Sequence, residues 1–300
     1  MHILMKIKYF TLITLLFATG TVIAQQQPSA NQYFFNQYMV NPAMGGLEPG
    51  LILNGSFRKQ FATTPGGPST QSLTAEYRMG ERAALGFNFI NDKAGLLGVT
   101  RGFATFSYHL PLSATEQQLH FGVGLGFSDD HINQSELIGQ PDAEIGRLND
   151  EKAYIDGSFG FAYTTSLLNI QAAIPNMKQF IGEDELDNLA TKALFYSAAS
   201  YQFRFKPDTE ESWSITPKVA LRGYTRIDAI VDAGAEIGIV NDQLRFMGMY
   251  HSSKNASFGL GFHKPSGLAI QATYTAATST VQSQLGGTFE IGLKVKLNKK

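Results

Sequence analysis

Residues 119–129 read Leu-His-Phe-Gly-Val-Gly-Leu-Gly-Phe-Ser-Asp. In an extended chain successive side chains point to opposite faces. Phe121, Val123, Leu125 and Phe127 therefore share one face, and Gly122, Gly124 and Gly126 the other. The period recurs down the chain. Ile291, Leu293, Val295 and Leu297 oppose Glu290, Gly292, Lys294 and Lys296; Phe258, Leu260 and Phe262 oppose Gly259, Gly261 and His263; Tyr201, Phe203 and Phe205 oppose Gln202, Arg204 and Lys206. Strict alternation over about ten residues marks a strand lying between two different solvents.

Fourteen segments carry the pattern, an even number as in bacterial single-chain barrels. The first seven are Leu51–Gln60, Thr70–Met79, Ala83–Asn91, Thr100–Leu110, Leu119–Asp129, Ala153–Thr164 and Leu167–Ile174. The second seven are Ala193–Lys206, Ser212–Tyr224, Ile227–Val240, Gln243–Ser252, Ala256–Lys264, Gly267–Ala276 and Leu285–Leu297. Connections after even-numbered segments are compact, for example Gly80-Glu81-Arg82, Thr165-Ser166, Asn241-Asp242 and Pro265-Ser266. The long connections, Asp130–Lys152 and Pro175–Lys192, follow odd-numbered ones. Short periplasmic turns and longer outer loops are the asymmetry of an outer-membrane barrel, and this places both chain ends in the periplasm.

Composition agrees. Only 16% of the 300 residues are charged, against about a quarter in soluble domains, while aromatic residues reach 12% with 22 Phe and 30 Gly. The strand faces opposite the aromatic ones carry Gly, Ala, Ser, Thr and Gln with occasional Arg or Glu, and are not lined with the charges of a water-facing sheet, which favours a membrane barrel over a β-sandwich or lipocalin-like barrel. A net charge of −1 offers no basic field for nucleic acid. The absence of cysteine excludes disulfides, thiolate zinc sites, iron–sulfur clusters and lipoprotein acylation.

Met1 to Ala24 reads as a secretory signal peptide, with Lys6 and Lys8 before the apolar stretch Tyr9–Ala18 and Val22-Ile23-Ala24 as a cleavage site. Residues 25–50 are Gln/Asn-rich with aromatics and lack alternation, and are expected to form a periplasmic or plug-like segment before a barrel of residues 51–300. Asn41-Pro42 denies αR to Asn41, and Gly45-Gly46 permits a sharp turn, which suits an irregular tuck within or beneath the barrel.

That segment contains Gln37-Tyr38-Met39-Val40-Asn41-Pro42-Ala43-Met44-Gly45-Gly46. The string resembles the Gln-Tyr-x-x-Asn-Pro-Ala-x-x-Gly opening of the PorP/SprF family, outer-membrane proteins of the type IX secretion system in Bacteroidetes. Further matches follow in order. Gln71–Arg78 resembles the family's second strand, and Asn91-Asp92-Lys93-Ala94-Gly95-Leu96-Leu97 its hairpin loop. Tyr108-His109-Leu110-Pro111-Leu112 and Ala172-Ala173-Ile174-Pro175-Asn176 are similar to later strand ends, and Leu119–Phe127 to the family's Gly-alternating fifth strand. The terminal Lys296-Leu297-Asn298-Lys299-Lys300 departs from the aromatic ending common in outer-membrane strands. The resemblance implies a non-enzymatic component that assists secretion or surface attachment of a partner protein, of the gliding or adhesin type. Implied partners are type IX components in the periplasm and outer membrane, a secreted or surface-anchored cargo protein, and outer-membrane lipid. Gln37, Tyr38, Asn41, Pro42, Gly45, Asn91, Asp92, Lys93 and Gly95 become the candidate motif and partner-contact residues. The N-terminal motif and short turns are expected to meet periplasmic partners, and the outer loops the cargo.

No catalytic, metal or cofactor constellation stands out. His109, His120, His131, His251 and His263 are scattered over different strands, and no neighbouring pair of strands groups Ser, His and an orienting residue as a hydrolase requires. Asp129-Asp130, Asp142, Glu144, Asp150 and Glu151 crowd one long loop and Glu183-Asp184-Glu185 with Asp187 the next, without EF-hand spacing. The alternative reading is an outer-membrane channel for hydrophobic small molecules, similar to fatty-acid transporters, with a continuous apolar tunnel.

Overall fold

A computed structural model describes residues 32, 34–61, 66–112, 116–132, 153–181, 193–206, 212–225, 227–278 and 286–297. The expected signal peptide, most of the acidic loop positions and the last three residues lie outside this set.

The β-branched, aromatic and small residues of the alternating segments form fifteen strands. β1 to β5 are Leu51–Lys59, Ser69–Met79, Ala83–Ala94, Leu97–Pro111 and Gln118–Ile132. β6 to β10 are Tyr154–Thr164, Leu168–Ile174, Ala193–Tyr201, Phe203–Phe205 and Trp213–Tyr224. β11 to β15 are Ile230–Ile239, Leu244–His251, Asn255–Lys264, Leu268–Ala277 and Thr288–Leu297. Apart from β8 and β9, successive strands pair antiparallel, and the sheet closes because β1 pairs with β15 as well as β2. β8 and β9 both pair with β10, on either side of Gln202, whose N–H turns instead to Leu167 O. They make one stave in two pieces, so the barrel has fourteen staves, one for each alternating segment.

The barrel is inside-out relative to a soluble protein. Val123, Leu125 and Phe127 of β5 and Phe289, Ile291 and Leu293 of β15 point outward, with Leu125 67% exposed. The buried wall is polar: Arg58, Thr74, Glu76, Lys218, Arg222, Asp232 and Glu290 face the lumen. An exposed apolar belt around a polar interior is stable only where the belt meets lipid, and closure satisfies the backbone there without an edge. No helix among the described residues is long and apolar enough to cross a membrane.

Residues preceding β1 enter the lumen as two short 3₁₀ turns, Gln37–Met39 and Pro42–Met44. Asn36 caps the first by accepting from Met39 N, and Asn41 caps the second by accepting from Ala43 N. Pro42 occupies the first helical position, where its missing N–H costs nothing. Among the described residues one α-helix, α1 (Met177–Ile181), follows β7.

Candidate functional site: a bolted plug in a polar lumen

The sequence motif is the plug, and its residues are turned toward the wall. Asn41 is fully buried; its Nδ2 donates to Phe161 O (3.3 Å) and Gln171 Oε1 (3.2 Å), while Oδ1 holds Ala43 N at 3.0 Å. One side chain thus caps a plug turn and ties it to β6 and β7. Gln37 Oε1 accepts from Gln171 Nε2 (2.6 Å) and Asn169 Nδ2 (3.1 Å). Tyr38 OH meets Thr105 Oγ1 at 2.6 Å, and Ser107 Oγ donates to Pro42 O at 2.7 Å. Asn36 Nδ2 donates to Thr74 Oγ1 (3.0 Å), and Asn88 Nδ2 reaches Met39 O (2.9 Å).

The exit from the plug is held as firmly. Gly46 N donates to Glu76 Oε2 at 2.7 Å, and Arg78 Nη1 donates to Leu47 O at 2.8 Å. Gly46 takes a left-handed φ of +70°, and a Cβ there would overlap Ala84, so glycine is required twice over. Gln32 Nε2 donates to Glu290 on β15. Below the lumen, Lys296 Nζ bonds Glu48 Oε2 at 3.0 Å. Burial acts to raise the Glu48 carboxyl, but Lys294 and Lys296 outweigh it and hold the group below the ordinary glutamate value.

The glycine faces now have a cause. A Cβ on Gly122 would run into the Pro42–Ala43 peptide, one on Gly160 into Asn41 Oδ1, and one on Gly86 into the Tyr38 hydroxyl. The wall is smooth where the plug backbone lies against it.

The other candidates sit elsewhere. Asn91, Asp92 and Lys93 end β3, where Asp92 accepts from Thr70 Oγ1 at 2.8 Å. Gly95, at φ +59°, opens the two-residue turn joining Ala94 to Leu97, a conformation that selects glycine at its first central position. This hairpin lies at the opposite end of β3 from the compact turn at Gly80. The structure therefore brings Gln37, Tyr38, Asn41, Pro42 and Gly45 together in the lumen and leaves Asn91–Gly95 at the far rim.

The plug leaves free a cavity of about 500 Å³ bounded by Phe34, Gln37, Thr164, Ser200, Lys218 and Glu236. It opens beside the compact turn Thr165–Leu167. A second cavity of about 60 Å³ lies on the plug's other side, between Met39, Val40, Ile90, Phe103 and Pro175.

Two histidine groupings went unread in the sequence. His109 and His120 face each other across β4 and β5 with Nδ1 atoms 2.7 Å apart, and His120 Nε2 meets Thr164 Oγ1 at 2.7 Å. Asp232, His251 and Ser257, on β11, β12 and β13, line up with His251 Nδ1 2.6 Å from Asp232 and Nε2 2.8 Å from Ser257 Oγ. This corrects the expectation that no neighbouring strands group Ser, His and an orienting residue. All three side chains are fully buried, Ser257 Oγ is shared with Thr275, and Arg222 grips Asp232 through two nitrogens. The group serves as a cross-strand tie, since nothing reaches the hydroxyl from solvent. Such alignment depends on strand register, which separates its members by up to 25 positions (257 − 232) in sequence. Among the described residues no group of three or more His, Asp or Glu is placed to hold a metal ion.

The chain is similar to solved structures of outer-membrane proteins and channels. The outer membrane protein Omp33 of Acinetobacter baumannii is similar with a TM-score of 0.50 at 8% identity, over 84% of this chain and 100% of its own. The monoaromatic hydrocarbon channel CymD gives 0.49 at 11% identity, over 93% and 95%. The toluene transporter TbuX of Ralstonia pickettii gives 0.45 at 13%, over 86% and 92%. At 8% identity the likeness to Omp33 is one of fold alone. No curated protein matches the sequence. The family described as "Type IX secretion system membrane protein PorP/SprF" matches residues 22–295. That span takes in the plug and every strand through most of β15, and the chain belongs to this family.

Proposed function

We propose that this barrel is a non-enzymatic outer-membrane component of the type IX secretion system that assists secretion or surface attachment of a partner protein of the gliding or adhesin type. The observation carrying this reading is that the family match runs from the plug to the last strand. Its partners are secretion components in the periplasm and outer membrane and a cargo protein outside, with lipid around the belt. The compact turns and the mouth of the 500 Å³ cavity are the surfaces offered to the periplasm. The plug motif acts indirectly, by fixing that mouth, because Tyr38 and Asn41 are themselves buried.

Deleting the gene in the native host and measuring type IX cargo in the medium and on the cell surface tests the proposal. Loss of at least one cargo from the surface is expected. Unchanged secretion and display of every cargo overturns it. A channel for hydrophobic small molecules would call for an apolar tunnel, whereas Lys218, Arg222, Asp232 and Glu290 face this lumen. Uptake that depends on the protein while cargo export stays normal would favour the channel.

A further inference from the structure

The barrel wall has a notch one strand wide. β7 is seven residues long between neighbours of eleven and nine. Its pairing with β6 stops at Phe159↔Ile174, and its pairing with β8 at Ala173↔Tyr196. Beyond those points β6 still runs through Ile155–Ser158, paired on its other side with β5, and β8 runs through Ala193–Phe195 beside β10. Among the described residues no strand lies between them. Adjacent strands stand about 4.8 Å apart, so the gap in line with β7 is about 9–10 Å across and takes a single strand.

Alternate residues of a strand offer N–H and C=O to a given side, and groups at an apolar level must be satisfied. The notch lies at that level, because Ile155 points outward and is 76% exposed. Side chains stand in for the missing strand. Asp156 Oδ1 accepts from Gly157 N (2.7 Å) on the β6 edge and from Lys178 N (2.8 Å) of α1. Asn176 Nδ2 donates to Ala193 O (2.6 Å) on the β8 edge, and Arg101 Nη1 holds Asn176 Oδ1 at 3.2 Å. The substitution is incomplete, since Asp156 Oδ2 is buried with no hydrogen-bond partner. Helix α1 packs over the gap, with Met177 against Gly157, but a helix about 10 Å in diameter cannot enter a slot shaped for one strand.

We infer that the β6–β8 notch is a docking slot for one extended segment of the secreted partner, which enters from the outer side as α1 swings away and completes the sheet in line with β7. The inference rests on the secretion role proposed above. Recognition runs through main-chain hydrogen bonds to the exposed edges, with Asp156 and Asn176 releasing the groups they now occupy. The residue after β7 is Pro175, which has no N–H and ends the native strand where the guest strand begins.

A disulfide lock tests this without background, because the chain has no cysteine. A Cβ on Gly157 lies 3.7 Å from Met177 Cβ, within the about 3.5–4.5 Å a disulfide requires. Cells carrying Gly157→Cys with Met177→Cys are oxidised, the bond is verified by gel mobility of the unboiled barrel, and the cargo lost in the deletion strain is measured on the surface. Display at the deletion level when oxidised, restored in the same double variant by reductant, is expected. Full display by the locked barrel overturns the slot while leaving the secretion role intact. Full display in the deletion strain itself overturns that role instead.

Discussion

Replacing Asn41 by alanine removes three hydrogen bonds from a fully buried position: the cap on Ala43 N and the ties to Phe161 O and Gln171 Oε1. Gln171 Nε2 keeps its bond to Gln37, and Phe161 stays in the ladder between β5 and β7, so the main losses are an orphaned N–H in the plug and a Gln171 Oε1 left without its donor. A buried polar group left without a partner costs about 1–3 kcal/mol. Two such groups with a lost cap put the cost at roughly 3–4 kcal/mol, which lowers the docked-to-undocked ratio about 10²- to 10³-fold. Met44, buried beneath Asn41's turn, is the reporter. In a Met44→Cys background the thiol should react slowly with a maleimide added from the periplasmic side, and Asn41→Ala should accelerate labelling by that factor. Asn41→Asp keeps the cap oxygen but faces two acceptors with a third, and should label at least as fast as alanine. Equal labelling rates for Met44→Cys with and without Asn41→Ala would refute the claim that this side chain bolts the plug.

Gly122→Ala and Gly160→Ala each place a methyl where plug backbone or Asn41 now sits, and should likewise raise Met44→Cys labelling, while Gly248→Ala, which meets nothing, should not. Asp232→Ala leaves the buried Arg222 charge uncompensated and should destabilise the barrel by about 3–5 kcal/mol in urea titrations in detergent. Ser257→Ala should cost only about 1 kcal/mol and change no esterase reading, because the Ser257–His251–Asp232 group is a tie. The lowered Glu48 value means that its tether to Lys296 is fully present above the unfolded value of about 4.5 and is lost as pH falls through the lower folded value. Proteolytic protection of the plug should therefore hold between pH 7 and pH 5, and the step below should vanish in Glu48→Gln. Leu125→Arg puts a charge in the lipid belt and should cost about 2–4 kcal/mol if the residue lies near the bilayer midplane.

The strands were legible because their information is local. Alternation in residues 119–129 or 290–297 needs no knowledge of what lies opposite, and all fourteen segments became staves. Loop asymmetry was legible for the same reason. What could not be read was anything set by register. His109 and His120 are 11 residues apart but face one another because β4 and β5 pair in that frame. Asn41 and Gln171 are 130 apart. The glycines of β5 marked a face without a large side chain, yet nothing nearby says that Pro42 needs the room. The notch was hidden too, since Leu167–Ile174 is a short strand in the sequence, and only its neighbours' greater lengths make the shortfall a gap.

The distribution of plug bonds bears on assembly order. The plug bonds described above reach β2, β3, β4, β6 and β7, and beyond these only β15, through Gln32 and Glu48. The leading half of the barrel and the segment that precedes it thus form a mutually bonded unit without β8. Loop closure for those contacts spans at most 134 residues, against 258 for Gln32 with Glu290. The plug is a lopsided mandrel: hydrogen bonds fasten it to the first seven staves and the β1–β15 seam, while the flank formed by β8, β10 and β12 meets it through apolar packing on Phe34 and Val40.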